Sequence, residues 1–240
     1  MNRSPRPSLL EDPVPWRFDF DMFFVFEIDL DAIAAKPPRG LVFQEARPGV
    51  GLVGVAATRG LAHPELGVGP FAEINWSLLL RPDLSRPMPV PHLAVFTGAV
   101  GSDEPGFLAV ARVVDKMPVR DTPGLRVEFD EAGPAATAVD DEGPIFSIWN
   151  TDPAPTYRPL EHWIQVGSRV EGGWVQAAVA RGEIHEHQRG HRAGVLHPHS
   201  FFEGIDVTGL GDRCYLQMLA RPGARLDVVF HGPRPLGRRR

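Results

Sequence analysis

The alternation of apolar and polar positions is sharpest between Phe71 and Leu80, in the run FAEINWSLLL. Ala72, Ile74, Trp76, Leu78 and Leu80 fall on one side of an extended chain, and Phe71, Glu73, Asn75 and Ser77 on the other, because strand side chains alternate. The first side is wholly apolar. The second sets the Glu73 carboxylate between an aromatic ring and an amide. A strand buried on one face that carries Glu73 on the other is a candidate wall of a polar-lined cavity; a half-solvated sheet with its polar face in water is the alternative.

The same reading extends along the chain. Residues 1–15 hold four prolines and no hydrophobic period, which predicts an extended or disordered arm. MFFVFEIDL (22–30) predicts a strand, and Asp31 a cap for one helical turn that Pro37 and Pro38 stop. Strands follow at 41–46 and 50–58 around the turn Arg47-Pro48-Gly49, then at the Glu73 run and at 92–100. Asp103-Glu104-Pro105 opens a short helix whose stripe is Phe107, Val110, Ala111 and Val114, and Met117-Pro118 ends it. Lys116, Val119 and Arg120 therefore sit in the turn that leaves this helix. In GLRVEFDEA, Leu125, Val127 and Phe129 alternate with Arg126, Glu128 and Asp130. PIFSIWN is a further strand, residues 163–184 a hairpin turning at Gly172-Gly173, and two more strands lie near 213–220 and 224–231. Many short strands with few helices predict a strand-rich α+β protein built on a large mixed β-barrel or sandwich. One domain over residues 16–233 is expected, with a basic tail at 234–240.

Composition narrows the function. A chain of 240 residues that is 43% hydrophobic buries a sizeable core. The single cysteine, Cys214, excludes an internal disulfide. No signal peptide precedes Phe23, and apolar runs such as FFVF are too short to span a bilayer, so a cytoplasmic protein without a membrane partner is expected. A net charge of −5 argues against nucleic acid, and Arg238-Arg239-Arg240 reads as a solvated tail. There are only two lysines, Lys36 and Lys116, against 23 arginines, which makes lysine chemistry easy to audit. A small-molecule ligand is the expected partner, no cofactor is expected, and homo-oligomerisation stays open.

A glycine-rich approach, an aromatic-x-Glu at the start of a strand and a short Ala-Arg helix running into a Met-Pro turn together resemble the acetoacetate decarboxylase superfamily. Members carry Gly-Pro-Tyr-x-Glu, matched here by Gly69-Pro70-Phe71-Ala72-Glu73 with Phe for Tyr. They also carry Gly-Arg-Glu-x-x-Gly-aromatic-Pro-Lys-Lys, the first lysine of the pair forming a Schiff base with a keto acid. The corresponding run is Ala111 to Arg120, in which Arg112 and Pro118 match while Val119 takes the Schiff-base position and Arg120 the next. The resemblance covers residues 23–150. It implies a β-barrel or cone with an internal pocket. Val119 has no nitrogen and Arg120 stays protonated, so acetoacetate decarboxylation through an imine at the usual position is not expected.

On this reading Glu73 is the candidate acid or base, and Lys116 the one lysine near enough for a displaced nucleophile. Such a lysine must have its pKa lowered by desolvation or a neighbouring cation. Phe71, Asn75, Arg112, Met117 and Arg120 are the candidate substrate-binding residues, the arginines as clamps for a carboxylate or enolate. A pocket lined by Phe71, Trp76 and Met117, in which Glu73 and Arg112 converge, is what this reading requires. A second constellation competes: His185 and His187 share a face of a strand, as do His197 and His199 if extended, with Glu183 or Glu203 as carboxylate partners for a metal. Gly209-Leu210-Gly211-Asp212 is no phosphate loop, and a Gly-x-Ser-x-Gly elbow is absent. Three functions stay open. The first is a lyase-type enzyme acting on a small carbonyl- or carboxylate-containing metabolite without a Schiff base. The second is a non-catalytic binding protein with the same pocket, and the third a metal-dependent enzyme built on the histidines.

Overall fold

The computed structural model describes residues 15–37, 41–82, 93–113, 117–168, 174–188 and 191–235. In chain order these form β1 (Pro15–Asp29), β2 (Glu45–Arg47), β3 (Val50–Gly60), β4 (Phe71–Leu79), β5 (Leu93–Ser102), the helix α1 (Pro105–Val113), β6 (Arg126–Asp130), β7 (Ala135–Val139), β8 (Pro144–Trp149), β9 (Arg158–Ser168), β10 (Trp174–His187), β11 (Gly194–Leu196), β12 (Leu210–Ala220) and β13 (Leu226–Pro235). The fold is strand-rich α+β with a large mixed sheet, as the alternation predicted. No helix among the described residues is long and apolar enough to cross a membrane.

β1 organises the larger sheet. Its start pairs with β13, its second half with β12 and most of its length with β3. From β3 the ladder runs through β4, β5, β9 and β10, and β10 pairs with both β13 and β12, which returns the sheet to β1. The sheet is thereby closed into a barrel, which removes its open edges. All its pairings are antiparallel except β5 with β9, which run parallel. Between those two strands the chain builds β6, β7 and β8, which β11, arriving after β10, completes as a second, four-stranded sheet in the order β11-β8-β7-β6.

The second sheet packs on the outside of the β1-β3-β4-β5 wall. Phe20, Met22, Phe24, Phe26 and Ile28 of β1 meet Ile145, Phe146 and Ile148 of β8 in this layer, together with Ile74, Trp76 and Leu78 of β4. A second apolar cluster fills the barrel interior. β4 is thus covered on both faces, so the half-solvated alternative does not hold. Trp76 belongs to the outer layer, where its indole Nε1 donates to the Phe201 carbonyl at 2.7 Å, and not to the interior as the sequence reading required.

Several boundaries differ from expectation. β1 starts seven residues before Met22, since Trp16, Phe18 and Phe20 already pair in the barrel. The cap near residue 30 is Asp29, whose carboxylate accepts from the Asp31 amide, and the turn it opens is a single 3-10 turn. β2 is confined to three residues. β13 runs to Pro235, past the expected end of the domain. Residues 1–14, the hairpin turn at 172–173, Val114 and Lys116, and the terminal arginines lie outside the described residues.

Candidate functional site

The barrel encloses a cavity of about 190 Å³. Most of its lining is apolar, from Trp16, Phe18, Phe23, Val95, Val166 and Met218 among others. α1 packs at one side of it through Phe107 and Ala111, the buried half of its predicted stripe. Trp16, Phe71 and Phe107 form an aromatic group there, with Phe71 stacked on Phe107 at 4.3 Å between centroids.

The polar lining comes almost entirely from one stretch of wall. Glu73, Asn75 and Ser77 of β4 face the cavity, with Asp21 of β1, Thr58 of β3 and Thr97 of β5. Register explains the grouping. Asp21 lies opposite Thr58, and Thr58 opposite Glu73, so three polar residues stand in one row across three strands. One row along, Phe23, Ala56 and Asn75 stand in the same order. Thr58 Oγ1 donates to Asp21 Oδ1 at 2.7 Å, and Asn75 Nδ2 donates to Glu73 Oε1 at 3.0 Å.

Asp21 faces inward because β1 carries a bulge. Phe18 pairs with Gly60 and Phe20 with Arg59, which leaves Asp19 unmatched. The extra residue reverses the alternation, as bulges do. Trp16 and Phe18 line the cavity before it, Asp21 and Phe23 after it, and Phe20 and Met22 turn to the outer layer. Burial in this apolar surround pushes the Asp21 carboxyl up to about 6, and the Thr58 hydrogen bond opposes the shift. β5 repeats the device: Trp76 pairs with Ala99 and Ser77 with Thr97, leaving Gly98 over.

Of the residues singled out in the sequence, Glu73, Asn75 and Met117 line the cavity. Phe71 lies behind the lining in the aromatic group, its ring over Gly60. The two arginines are elsewhere. Arg112 occupies the outer side of α1 and reaches Asp121 at 3.5 Å, with side chains 56% and 85% exposed. Arg120 donates to the Ser200 carbonyl at 2.9 Å and pairs with Glu203. Glu73 and Arg112 therefore do not converge, since Ala111 takes the inward place on the helix and Arg112 is turned away from it. Val119 bridges to Val100 of β5 and packs partly buried against the interior cluster. Lys116 lies outside the described residues.

The histidines divide into two settings. His185 and His187 share the outer face of β10, as their spacing predicts, but the carboxylate beside them is Asp152, 3.0 Å from His185 Nε2. Glu183 is paired with Arg221 instead, and Glu203 with Arg120. His199 has a capping role: its Nδ1 accepts from the Phe201 amide, and its Nε2 lies 3.0 Å from Asp140. His197 lies just past β11, its amide donating to the Ile145 carbonyl. Cys214 is buried, and desolvation pushes its thiol up to about 12, so it stays protonated.

Asp21, Thr58 and Asp152 were not found from sequence. Asp21 sits in the run WRFDFDM, where strict alternation assigns it to the face opposite Trp16 and Phe18. Only the bulge reverses that assignment.

No protein-family model and no curated protein sequence matches the chain. Solved structures do. MppR, an enduracididine biosynthesis enzyme, in complex with pyruvate superposes with a TM-score of 0.57 at 14% identity, over 98% of this chain and 95% of that one. The same enzyme complexed with the condensation product of pyruvate and imidazole 4-carboxaldehyde gives 0.56 at 15% identity, over 95% and 91%. Acetoacetate decarboxylase from Legionella pneumophila gives 0.56 at 14% identity, over 98% and 92%. At these identities the agreement concerns architecture, and it spans the whole barrel and the second sheet: the chain has the acetoacetate decarboxylase-like fold.

Proposed function

We propose that this protein is an enzyme that binds a small carbonyl compound inside the barrel and moves protons on it with Glu73 and Asp21, without an imine at Val119. The observation that carries this reading is the inward row Asp21-Thr58-Glu73, with Asn75 beside it, in a cavity that is otherwise apolar. Two carboxyls held in different surroundings supply an acid and a base at one site. A carboxyl lifted to about 6 exchanges its proton near neutral pH, where general catalysis is most effective. The cavity, at about 190 Å³, is below the ~300–1,000 Å³ of pockets for drug-sized ligands and suits a small metabolite. The pyruvate bound by MppR, a neighbour in fold, supports the carbonyl class.

In the reaction so envisaged, the apolar lining holds the carbon skeleton. Thr58 and Asn75 fix the two carboxyls by hydrogen bonds. One carboxylate takes a proton from the carbon next to the carbonyl, and the other carboxyl, in its acid form, donates to the carbonyl oxygen. Each oxygen then returns to its starting state as the product is reprotonated. A non-catalytic binding protein is the second reading, favoured by Val119 at the family's nucleophile position and by the mostly apolar lining.

Trp16 lines the cavity and gives a direct signal. Titration with pyruvate and small aldehydes is expected to change tryptophan fluorescence in the wild type and much less in Trp16→Phe. Borohydride treatment in the presence of pyruvate, followed by peptide mass mapping, is expected to leave both lysines unmodified. A reduced adduct on Lys116 would replace this mechanism with a lysine route, and saturable binding with no turnover of any compound would favour the binding protein.

A further inference from the structure

Behind the barrel wall, on the face of β10 opposite the cavity, three metal-binding side chains meet. Ile184 lines the cavity, so strand alternation turns its neighbour His185 outward, and His187 with it. The segment between β8 and β9 folds over this face and is held there from both ends. Gln217 Oε1 accepts from the Thr151 amide at 3.1 Å, and Gln217 Nε2 donates to Thr151 Oγ1 at 2.5 Å. Asn150 exchanges hydrogen bonds with the Asp152 backbone at 2.7 and 3.0 Å. Asp152 is thereby fixed with Oδ1 on the Ala154 amide and Oδ2 turned to the histidines, 3.0 Å from His185 Nε2 and 3.6 Å from His187 Nδ1. One ligand atom from each of the three side chains lies within 4.8 Å of the other two.

The second observation is His185 itself. It is 6% exposed, and its Nε2 is buried without a hydrogen bond although the Asp152 carboxylate oxygen stands beside it. A buried polar atom left so carries a desolvation cost that a proton or a cation at that point removes. Its Nδ1 lies 3.1 Å from the Thr156 amide, which donates to it when the ring proton is on Nε2, and 3.2 Å from the Thr156 carbonyl. A cation at Nε2 would select the other tautomer, in which Nδ1–H donates to that carbonyl and Nε2 presents its lone pair to the space it shares with Asp152 and His187, the usual support for a metal-bound imidazole. His187 is stacked near His185, with centroids 6.2 Å apart, and its side chain is 29% exposed, so the cluster has an open side.

We propose that Asp152, His185 and His187 bind one divalent transition-metal ion, with Zn²⁺ the best match. Two imidazoles and a carboxylate are borderline ligands of the kind Zn²⁺ takes in three-ligand sites, which leave a fourth position for water. Binding would tie the segment 150–157 to β10 and β12. It is independent of the chemistry in the cavity, which lies on the other face of the same strand.

The test uses the full chain after chelator treatment, titrated with Zn²⁺ by calorimetry and with Co²⁺ by visible absorption. One equivalent is expected to bind, Co²⁺ to give the intense bands of a tetrahedral site, and Zn²⁺ to raise the melting temperature. His187→Ala and Asp152→Asn are expected to weaken Zn²⁺ binding at least about tenfold and to abolish the melting shift. His187 is partly exposed, so that variant is expected to keep its fold by circular dichroism. Absence of stoichiometric binding, or binding of equal strength in both variants, overturns the proposal.

Discussion

At the scale of single residues, Asp21 makes a prediction about stability as well as about catalysis. Its carboxyl titrates at about 6 in the fold against 3.8 as an ordinary aspartate. The native state holds that proton more tightly than the unfolded chain, so the stability from this group is complete below about pH 4 and falls as pH rises through about 6. A shift of this size corresponds to about 2–3 kcal/mol, reduced because the carboxyl borders a cavity. Asp21→Asn keeps a partner for Thr58 and removes the ionised form. It is expected to stabilise the protein by about 1–2 kcal/mol at pH 8, with the gain vanishing near pH 4, and to lose activity. Urea unfolding at the two pH values checks this; equal effects at both would show that Asp21 is ionised without penalty. Glu73 was legible in the sequence because it lies on a regular strand. Asp21 was not, because parity counted from Trp16 and Phe18 fails at the extra residue, Asp19.

At the scale of elements, the two bulges shape the site. In β5 the unmatched residue is Gly98, and a Cβ there would fall 2.2 Å from ring atoms of Trp76. That ring has no room to move, being 1% exposed and tethered to the Phe201 carbonyl. Gly98→Ala is therefore expected to destabilise the protein by about 1–3 kcal/mol. A melting temperature within a degree of wild type would mean that the bulge yields easily. The strands themselves were largely readable: β4, β6 and β8 fall where alternation put them, and α1 buries Phe107 and Ala111 as its stripe requires. Arg112 of α1 and Arg120 of the turn after it lie away from the cavity, because a resemblance in motif specifies neither rotation about the helix nor the path of the turn. Arg112, one residue after the inward Ala111, falls on the surface.

At the scale of the whole molecule, the barrel and the second sheet are joined at the first bulge. The Arg59 guanidinium lies 5.9 Å from the centroids of both Phe20 and Phe129 and pairs with Asp19 and Glu131 at 2.7 Å each. One side chain thus links β1, β3 and the β6–β7 turn. Arg59→Ala is expected to cost about 1–2 kcal/mol, and Glu131→Gln less than about 1 kcal/mol because that pair is exposed. Denaturation of both variants at low and high salt separates the contributions; equal losses would mean that the ring contacts and the Asp19 pair contribute nothing. A closed barrel was one of two architectures compatible with the strand count. The choice between barrel and sandwich rests on β1, which pairs with three partners along its length, and such long-range pairing leaves no local pattern.

The central claim is that Glu73 and Asp21 move protons on a small carbonyl compound inside this barrel. Exchange of deuterium from D₂O into the carbon next to the carbonyl, followed by proton NMR on pyruvate and a panel of small ketones and aldehydes, reads that step whether or not a full reaction ensues. Exchange is expected to be accelerated by the wild type, to fall off as the pH rises through about 6, where Asp21 loses its acid form, and to be lost by about 10²–10⁴-fold in Glu73→Gln. Exchange at the uncatalysed rate with every compound, or a Glu73→Gln variant as fast as the wild type, would contradict it.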